Sequence, residues 1–177
     1  MMGYGILYTL ILKPNTHQNI VIGGLFGAMP PLLGWCALTN QIDATPLILV
    51  LIIFLWTPAH FWALAIAKQH EYLNTPLPML PVTHGIPTTR LAIALYTILT
   101  ITASQLPFAI NALSPVYWVL ANILNLFLAY RLWRLFQNDQ EPIRFFVFSN
   151  VYLMLLFITM IVDHLKLHHV ILSFLSS

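Results

Sequence analysis

The sequence predicts an all-α protein: a polytopic membrane helix bundle of about five complete transmembrane helices, with partial segments at the N- and C-terminal ends. Three observations predict it. Of 177 residues, 59% are hydrophobic and only 7% are charged, whereas soluble domains carry about 25% charged residues. A soluble globule of this size would leave much of that apolar chain in water, and lipid removes the difficulty. Next, five separate stretches stay apolar over the roughly 20 residues a helix needs to cross a bilayer core. Finally, six of the seven Lys and Arg residues fall on one side when the spans alternate, which is the pattern of positive charge kept on the cytoplasmic face.

The same composition excludes other classes. A net charge of +2 with no basic run gives nucleic acid nothing to bind. The single cysteine, Cys36, allows no disulfide within the chain and reads as a small buried hydrophobe.

The elements follow in order. Residues 1–12 are apolar but reach only about 18 Å as a helix, too short to cross. The opening Met1-Met2-Gly3-Tyr4-Gly5 has no basic region of a signal peptide, so this segment is expected to be the tail of a helix that begins upstream. The first full span is expected near residues 19–38. Its glycines fall at small-xxx-small spacing, Gly23 with Gly27 and Gly24 with Ala28, which lets helices approach closely. Pro30 and Pro31 then break the helix near mid-membrane. The second span, residues 46–67, carries Pro58 and His60. Residues 68–90 form the longest connection, where Pro76, Pro78, Pro81 and Pro87 are expected to prevent a continuous helix. Spans three to five are expected near residues 91–113, 116–135 and 145–162. Residues 168–175 are too short to span and suit the interface. Lys13, Lys68, Arg90, Arg131, Arg134 and Arg144 share one side, while Lys166 breaks the pattern. The connection 68–90 is therefore expected in the cytoplasm, with the chain in a bacterial inner membrane.

Two groups could carry chemistry. His60 is an ionisable residue within a span, a functional candidate by default; its plain structural alternative is a neutral imidazole bonded to a neighbouring helix. If the second helix continued past Lys68, His60, Leu64, Ala67 and Glu71 would share one face, with the imidazole and carboxylate about 16 Å apart along the axis. Glu71, at the cytoplasmic mouth, could help hold Mg²⁺, a hard cation that prefers oxygen ligands and substrate phosphates. A solvated surface acid is its alternative.

These pieces together resemble the protohaem IX farnesyltransferases, within the membrane prenyltransferases of the UbiA type. The matching stretches are Tyr8-Thr9-Leu10-Ile11-Leu12-Lys13, Gln18 to Gly24, and Gly27-Ala28-Met29-Pro30-Pro31-Leu32-Leu33-Gly34-Trp35. They continue with Trp56-Thr57-Pro58-Ala59-His60-Phe61-Trp62-Ala63-Leu64, and Glu71-Tyr72 with Pro78-Met79-Leu80-Pro81-Val82 and Gly85. The likeness is dense from Tyr8 to about Tyr96.

The resemblance implies transfer of the farnesyl group of farnesyl diphosphate to a vinyl group of haem b, giving haem O. Haem b is then a substrate, Mg²⁺ the cofactor and the bilayer the solvent. It implies His60, Glu71 and Tyr72 as catalytic residues, with Glu71 also on the metal. It places Tyr8, Lys13 and Lys68 on the diphosphate, and Trp56, Phe61 and Trp62 around the haem or prenyl cavity. Aromatic faces can shield an allylic cation, and a dry cavity delays its quenching by water.

The departures are Pro14, where the family usually has Arg, Ala59, where it often has Pro, and Glu71, where Asp is commoner. The family's first acidic loop and the helices before it have no counterpart, so residues 1–177 are expected to be the C-terminal part of such a domain. The chain alone is then expected to lack activity, being either one partner of a complementing N-terminal fragment or a non-catalytic truncated product. Competing readings are a prenyltransferase for another acceptor such as a quinone precursor, a haem-binding electron carrier, and a transporter. A carrier would need two histidines at similar depth, and a transporter would show repeated halves. His60 is the only histidine well inside a span, and no repeat is visible.

Overall fold

The computed structural model describes residues 19–72 and 78–175, and the side chains of residues 20–72 and 78–165. All regular structure among them is helical. The order is α1 (Asn19–Gly27), α2 (Pro30–Thr39), α3 (Ala44–Ala67), α4 (Gln69–Tyr72), α5 (Leu80–Thr83), α6 (Gly85–Ala103), α7 (Leu106–Ala109), α8 (Pro115–Gln137) and α9 (Glu141–Leu175). Five stretches are long and apolar enough to cross a membrane: Ile20–Thr39, Ala44–Ala67, Gly85–Ala109, Pro115–Gln137 and Glu141–Leu165. The chain is an integral, multi-pass membrane protein built as an all-α bundle.

Proline sets the helix boundaries, mostly by starting helices rather than stopping them. Proline lacks an N–H, and the first turn of a helix needs none. Pro30 and Pro31, Pro46, Pro81, Pro87, Pro107, Pro115 and Pro142 all stand in first turns. Pro87 therefore does not delay the third span as expected. α6 begins at Gly85, six residues before the expected start at Leu91. Gly85 itself has φ +81, a left-handed conformation that costs glycine little and lets α5 run on into α6.

Pro58 alone stands inside a helix, and α3 runs unbroken across it. The double proline does break the first span. Neither residue can donate to the carbonyls of Phe26 and Gly27, and α1 gives way to α2 across Ala28 and Met29. The last helix runs on without interruption to Leu175, so residues 168–175 continue α9 instead of forming a separate interfacial piece.

Helix α3 is the hub. It packs against α1 and α2 on one side and against α6 and α9 on the other, and α8 closes the ring between α6 and α9. The shared core holds Ile52, Trp62 and Ala63 of α3, Ile93 of α6, Tyr117, Ala121 and Leu128 of α8, and Tyr152 and Leu156 of α9. Small residues let α1 come close: a Cβ added at Gly24 would lie 3.0 Å from Thr57 Cγ2, whereas one at Gly27 meets nothing. The small-xxx-small seam is therefore Gly24 with Ala28, which is fully buried.

Hydroxyl and amide side chains within the bilayer pair locally, as a solvent without water requires, while the buried Trp62 Nε1 has no partner among the described residues. The hydroxyls of Thr89, Thr97 and Thr100 donate to carbonyls one turn back on α6, at 2.7–2.8 Å. Between helices, Tyr152 Oη donates to Asn125 Oδ1 at 2.8 Å, Asn125 Nδ2 donates to Ser104 Oγ at 3.0 Å, and Tyr117 Oη donates to the Ser104 carbonyl at 2.7 Å. This network ties α6, α8 and α9 together.

The two ends of the bundle differ in charge. One pole carries Lys68, Arg90, Arg131, Arg134 and Arg144, along with Glu71, Asp139 and Glu141. The other carries Asp43 and Asp163, and no Lys or Arg among the described side chains. There Trp35 Nε1 donates to Asp43 Oδ2 at 2.7 Å, and Asp163 accepts from both the hydroxyl and the backbone N–H of Ser114.

Candidate functional site

The half of α3 nearer the charged pole carries four of the nine expected site residues, Trp56, His60, Phe61 and Trp62. His60 is buried, at 4% exposure. Its ring lies between two others, stacked on Trp56 one turn earlier at 4.3 Å and on Phe146 of α9 at 4.2 Å. Phe61 adds an edge contact at 5.1 Å. His60 Nδ1 lies 2.7 Å from Ser149 Oγ. The Ser149 hydroxyl also reaches the Phe146 carbonyl at 2.8 Å, so Ser149 links the imidazole to the backbone of α9. Trp56 Nε1 donates to the Ser149 carbonyl at 2.9 Å. The result is a clasp between α3 and α9, with His60 hydrogen-bonded to the neighbouring helix.

Periodicity separates the three tryptophan-motif aromatics. Trp56 and Phe61 line a cleft of about 380 Å³ between α1 and α3, with Ile20, Gly23, Gly24, Gly27, Ile53 and Thr57. Phe61 is 44% exposed there. Trp62 points to the other side of α3 into the core, at 2% exposure, edge-on to Tyr96 at 5.4 Å. The cleft is apolar, with glycines on one wall where a ligand could approach the backbone. A larger cavity of about 520 Å³ lies at the opposite pole, lined by residues such as Trp35, Ile48, Leu49, Leu113 and Met160. It holds none of the expected site residues.

The expected alignment of His60 with Glu71 does not form. α3 ends at Ala67, Lys68 leaves helical geometry at φ −109 and ψ 24, and α4 is a separate turn from Gln69 to Tyr72. The 3.6-residue register that would place the two on one face is lost at Lys68. Glu71 is instead exposed and paired with Lys68 at 3.2 Å, and Tyr72 is half-buried beside it. Lys68 also lines a polar cleft of about 380 Å³ with Asp139, Gln140, Ile143 and Arg144. Tyr8 and Lys13 lie outside the described residues.

Mg²⁺ can be tested against this donor set. Among the described residues no three His, Cys, Asp or Glu side chains converge. A single exposed carboxylate, Glu71, suits a Mg²⁺ shared with substrate phosphates rather than a resident ion.

Sequence reasoning missed Ser149, Phe146 and Glu141. Glu141 has no exposed surface and meets Arg131 at 2.8 Å, Arg144 at 3.7 Å and Arg134 at 4.0 Å. The signal was present, since an acid among three arginines at a span end is uncommon in so uncharged a chain.

The model of the UbiA prenyltransferase family matches residues 1–161. Protoheme IX farnesyltransferase 1 of Shewanella sp. (strain ANA-3) is 51% identical over 166 residues, 93% of this chain and 55% of the relative. Protoheme IX farnesyltransferase of Shewanella oneidensis is likewise 51% identical over 166 residues. That of Herminiimonas arsenicoxydans is 48% identical over 165 residues, 92% of this chain and 56% of the relative. The chain thus spans about half the length of the curated relatives it matches. No solved structure matches it.

Proposed function

We propose a function from one premise: this chain belongs to the UbiA prenyltransferase family. It contributes to farnesyl transfer from farnesyl diphosphate to a vinyl group of haem b, forming haem O. The observation that carries this reading is the identity of about half of all aligned residues, along 93% of the chain, with proteins named protoheme IX farnesyltransferase.

In the reaction the bond from the allylic carbon to diphosphate breaks. A carbon–carbon bond forms to the vinyl group. Water then closes the resulting cation as a hydroxyl, with loss of a proton. Lys68, Tyr8 and Lys13 would hold the departing diphosphate, whose negative charge grows as the bond breaks. Glu71, with Tyr72 beside it, would hold a Mg²⁺ that arrives with the diphosphate and neutralises it further. The polar cleft at Lys68 supports that assignment. Trp56 and Phe61 would line the apolar path of the prenyl chain or haem and face the allylic cation with their rings. Trp62 would act from the core, by holding α3 in place. His60 would fix Trp56 and Phe61 on the cleft wall through its stacking and its bond to Ser149. The charged pole would face the cytoplasm, in the inner membrane of a bacterium. Domain-wise, residues 1–177 would be the C-terminal part of one prenyltransferase unit. Catalysis would also need the portion of the relatives' length that this chain does not cover, on this or a complementing polypeptide.

The test is co-expression of this chain with that remaining portion from a relative, followed by mass analysis of extracted haem. Haem O is expected only with both parts present, and is expected to be lost with Glu71→Ala. Haem O from this chain alone would overturn the need for a second part. Another prenylated product would identify a different acceptor. No product from any combination, with both parts inserted in the membrane, would leave a non-catalytic protein.

A further inference from the structure

Helix α8 carries an apolar stripe that no described residue covers. Ile123, Leu126, Phe127 and Tyr130 follow helical spacing on its outer face, all well exposed, Leu126 at 72%. With Phe148 of α9 and Arg131 they line a groove of about 540 Å³. Its apolar floor runs along the helix, and its cationic end is at the charged pole. Arg131 sits about 9 Å from the end of α8 at Gln137, and Ile123 about 12 Å deeper. The long Arg131 side chain reaches toward the charged pole, where it meets Glu141, while Ile123 lies at hydrocarbon depth.

The cationic end is charged beyond its internal partner. Three guanidinium groups share one carboxylate, Glu141, so the cluster carries a surplus of positive charge. Arg131 lies over the Phe148 ring at 5.6 Å and spends one hydrogen bond on Glu141. Arg134 donates to Tyr130 Oη at 3.1 Å. Both side chains remain about one-third exposed, at 34% and 33%, and an arginine has five donors. Glu141 holds the arginines where they are; Arg131 itself lines the groove, and Arg134 adjoins it through its bond to Tyr130 Oη.

We propose that this groove seats one anionic phospholipid, its phosphate on Arg131 and Arg134 and an acyl chain along Ile123, Phe127 and Phe148. A phosphodiester supplies the missing negative charge and matches the planar donors of arginine. A basic pocket between membrane helices at the headgroup level is the setting in which such lipids are held. A second copy of the chain fits less well, because the other described carboxylates at this pole, Glu71 and Asp139, are already paired with Lys68 and Arg90. The inference does not depend on the prenyl-transfer reading.

The experiment is native mass spectrometry of the purified chain, with phosphatidylglycerol and phosphatidylcholine of identical acyl chains added in equal amounts, and inorganic phosphate as a separate competitor. Retention of phosphatidylglycerol over phosphatidylcholine is expected, falling roughly fivefold in Arg134→Gln and further in Arg131→Gln/Arg134→Gln. Arg134→Gln leaves the 2.8 Å bond of Arg131 to Glu141 in place, so it reads binding even if the double variant fails to fold. Equal retention of the two lipids, or loss unaffected by Arg134→Gln, would overturn the proposal. So would displacement of the lipid by millimolar inorganic phosphate, which would mark a phosphate site without a lipid.

Discussion

Replacing His60 with alanine is expected to destabilise the bundle by about 3 kcal/mol, a figure that follows from its contacts. The bond from Nδ1 to Ser149 Oγ, 2.7 Å long, nets about 1 kcal/mol. The two stacked pairs, on Trp56 and Phe146, add about 1–2 kcal/mol. The void left by the ring adds a remainder, through lost dispersion contacts. The water-to-apolar transfer that inflates such costs in soluble proteins contributes little, because separated helices stay in lipid. Nor is Ser149 stranded, since its hydroxyl still reaches the Phe146 carbonyl. The assay is unfolding of the purified chain in mixed micelles, followed by the far-ultraviolet helical signal. Ser149→Ala alone is expected to cost about 1 kcal/mol, and the double variant to reveal a coupling of about 0.5–1 kcal/mol. A cost for His60→Ala below about 0.5 kcal/mol, or no coupling to Ser149, would refute the clasp between α3 and α9.

Further outcomes follow from other contacts. Gly24→Leu is expected to lose about 1–3 kcal/mol through its clash with Thr57, measured in the same assay. Gly27→Leu is expected to be neutral, since nothing stands near its Cβ. Glu141→Ala is expected to cost about 2–4 kcal/mol by leaving three arginines without their carboxylate. Asp139→Ala is expected to change stability by less than about 0.5 kcal/mol, because its pair with Arg90 is solvent-screened. With Cys36→Ala removing the single native thiol, a cysteine at Gln140 is expected to react with an impermeant maleimide only from the cytoplasmic side, and one at Gln41 only from the other. Labelling of both from one side would contradict alternating spans.

The spans were legible because their signals are local: a run of apolar residues has to reach about 30 Å of hydrocarbon, and lysines and arginines mark its ends. The double-proline break was legible for the same reason, since a missing N–H acts within one turn. Pro87 misled because proline has two readings, a breaker inside a helix and a starter in its first turn, and only the backbone of Gly85 settled which applied. Lys68 misled because one non-helical residue erases a face drawn by counting in elevens. The partners of His60 were illegible for a different reason. Ser149 lies 89 residues away, and a lone serine in an apolar helix carries no sign of the ring it will meet. Trp62 looked equivalent to Trp56 and Phe61 by proximity, but one position turns a side chain by about 100°, enough to move it from cleft to core.

The uneven distribution of charge between the poles has an electrical consequence. Among the described residues, five cations against three carboxylates leave one pole at +2, and Asp43 and Asp163 with Lys166 put the other at −1. In a membrane whose interior is negative, each elementary charge moved through 100 mV changes the energy by about 2.3 kcal/mol. Turning the bundle over would carry two positive charges out and one negative charge in, at a cost of about 7 kcal/mol at that voltage. An energised membrane thus holds the molecule in one orientation as a compass needle is held in a field. Dissipating the potential during synthesis is when an inverted population would first become measurable.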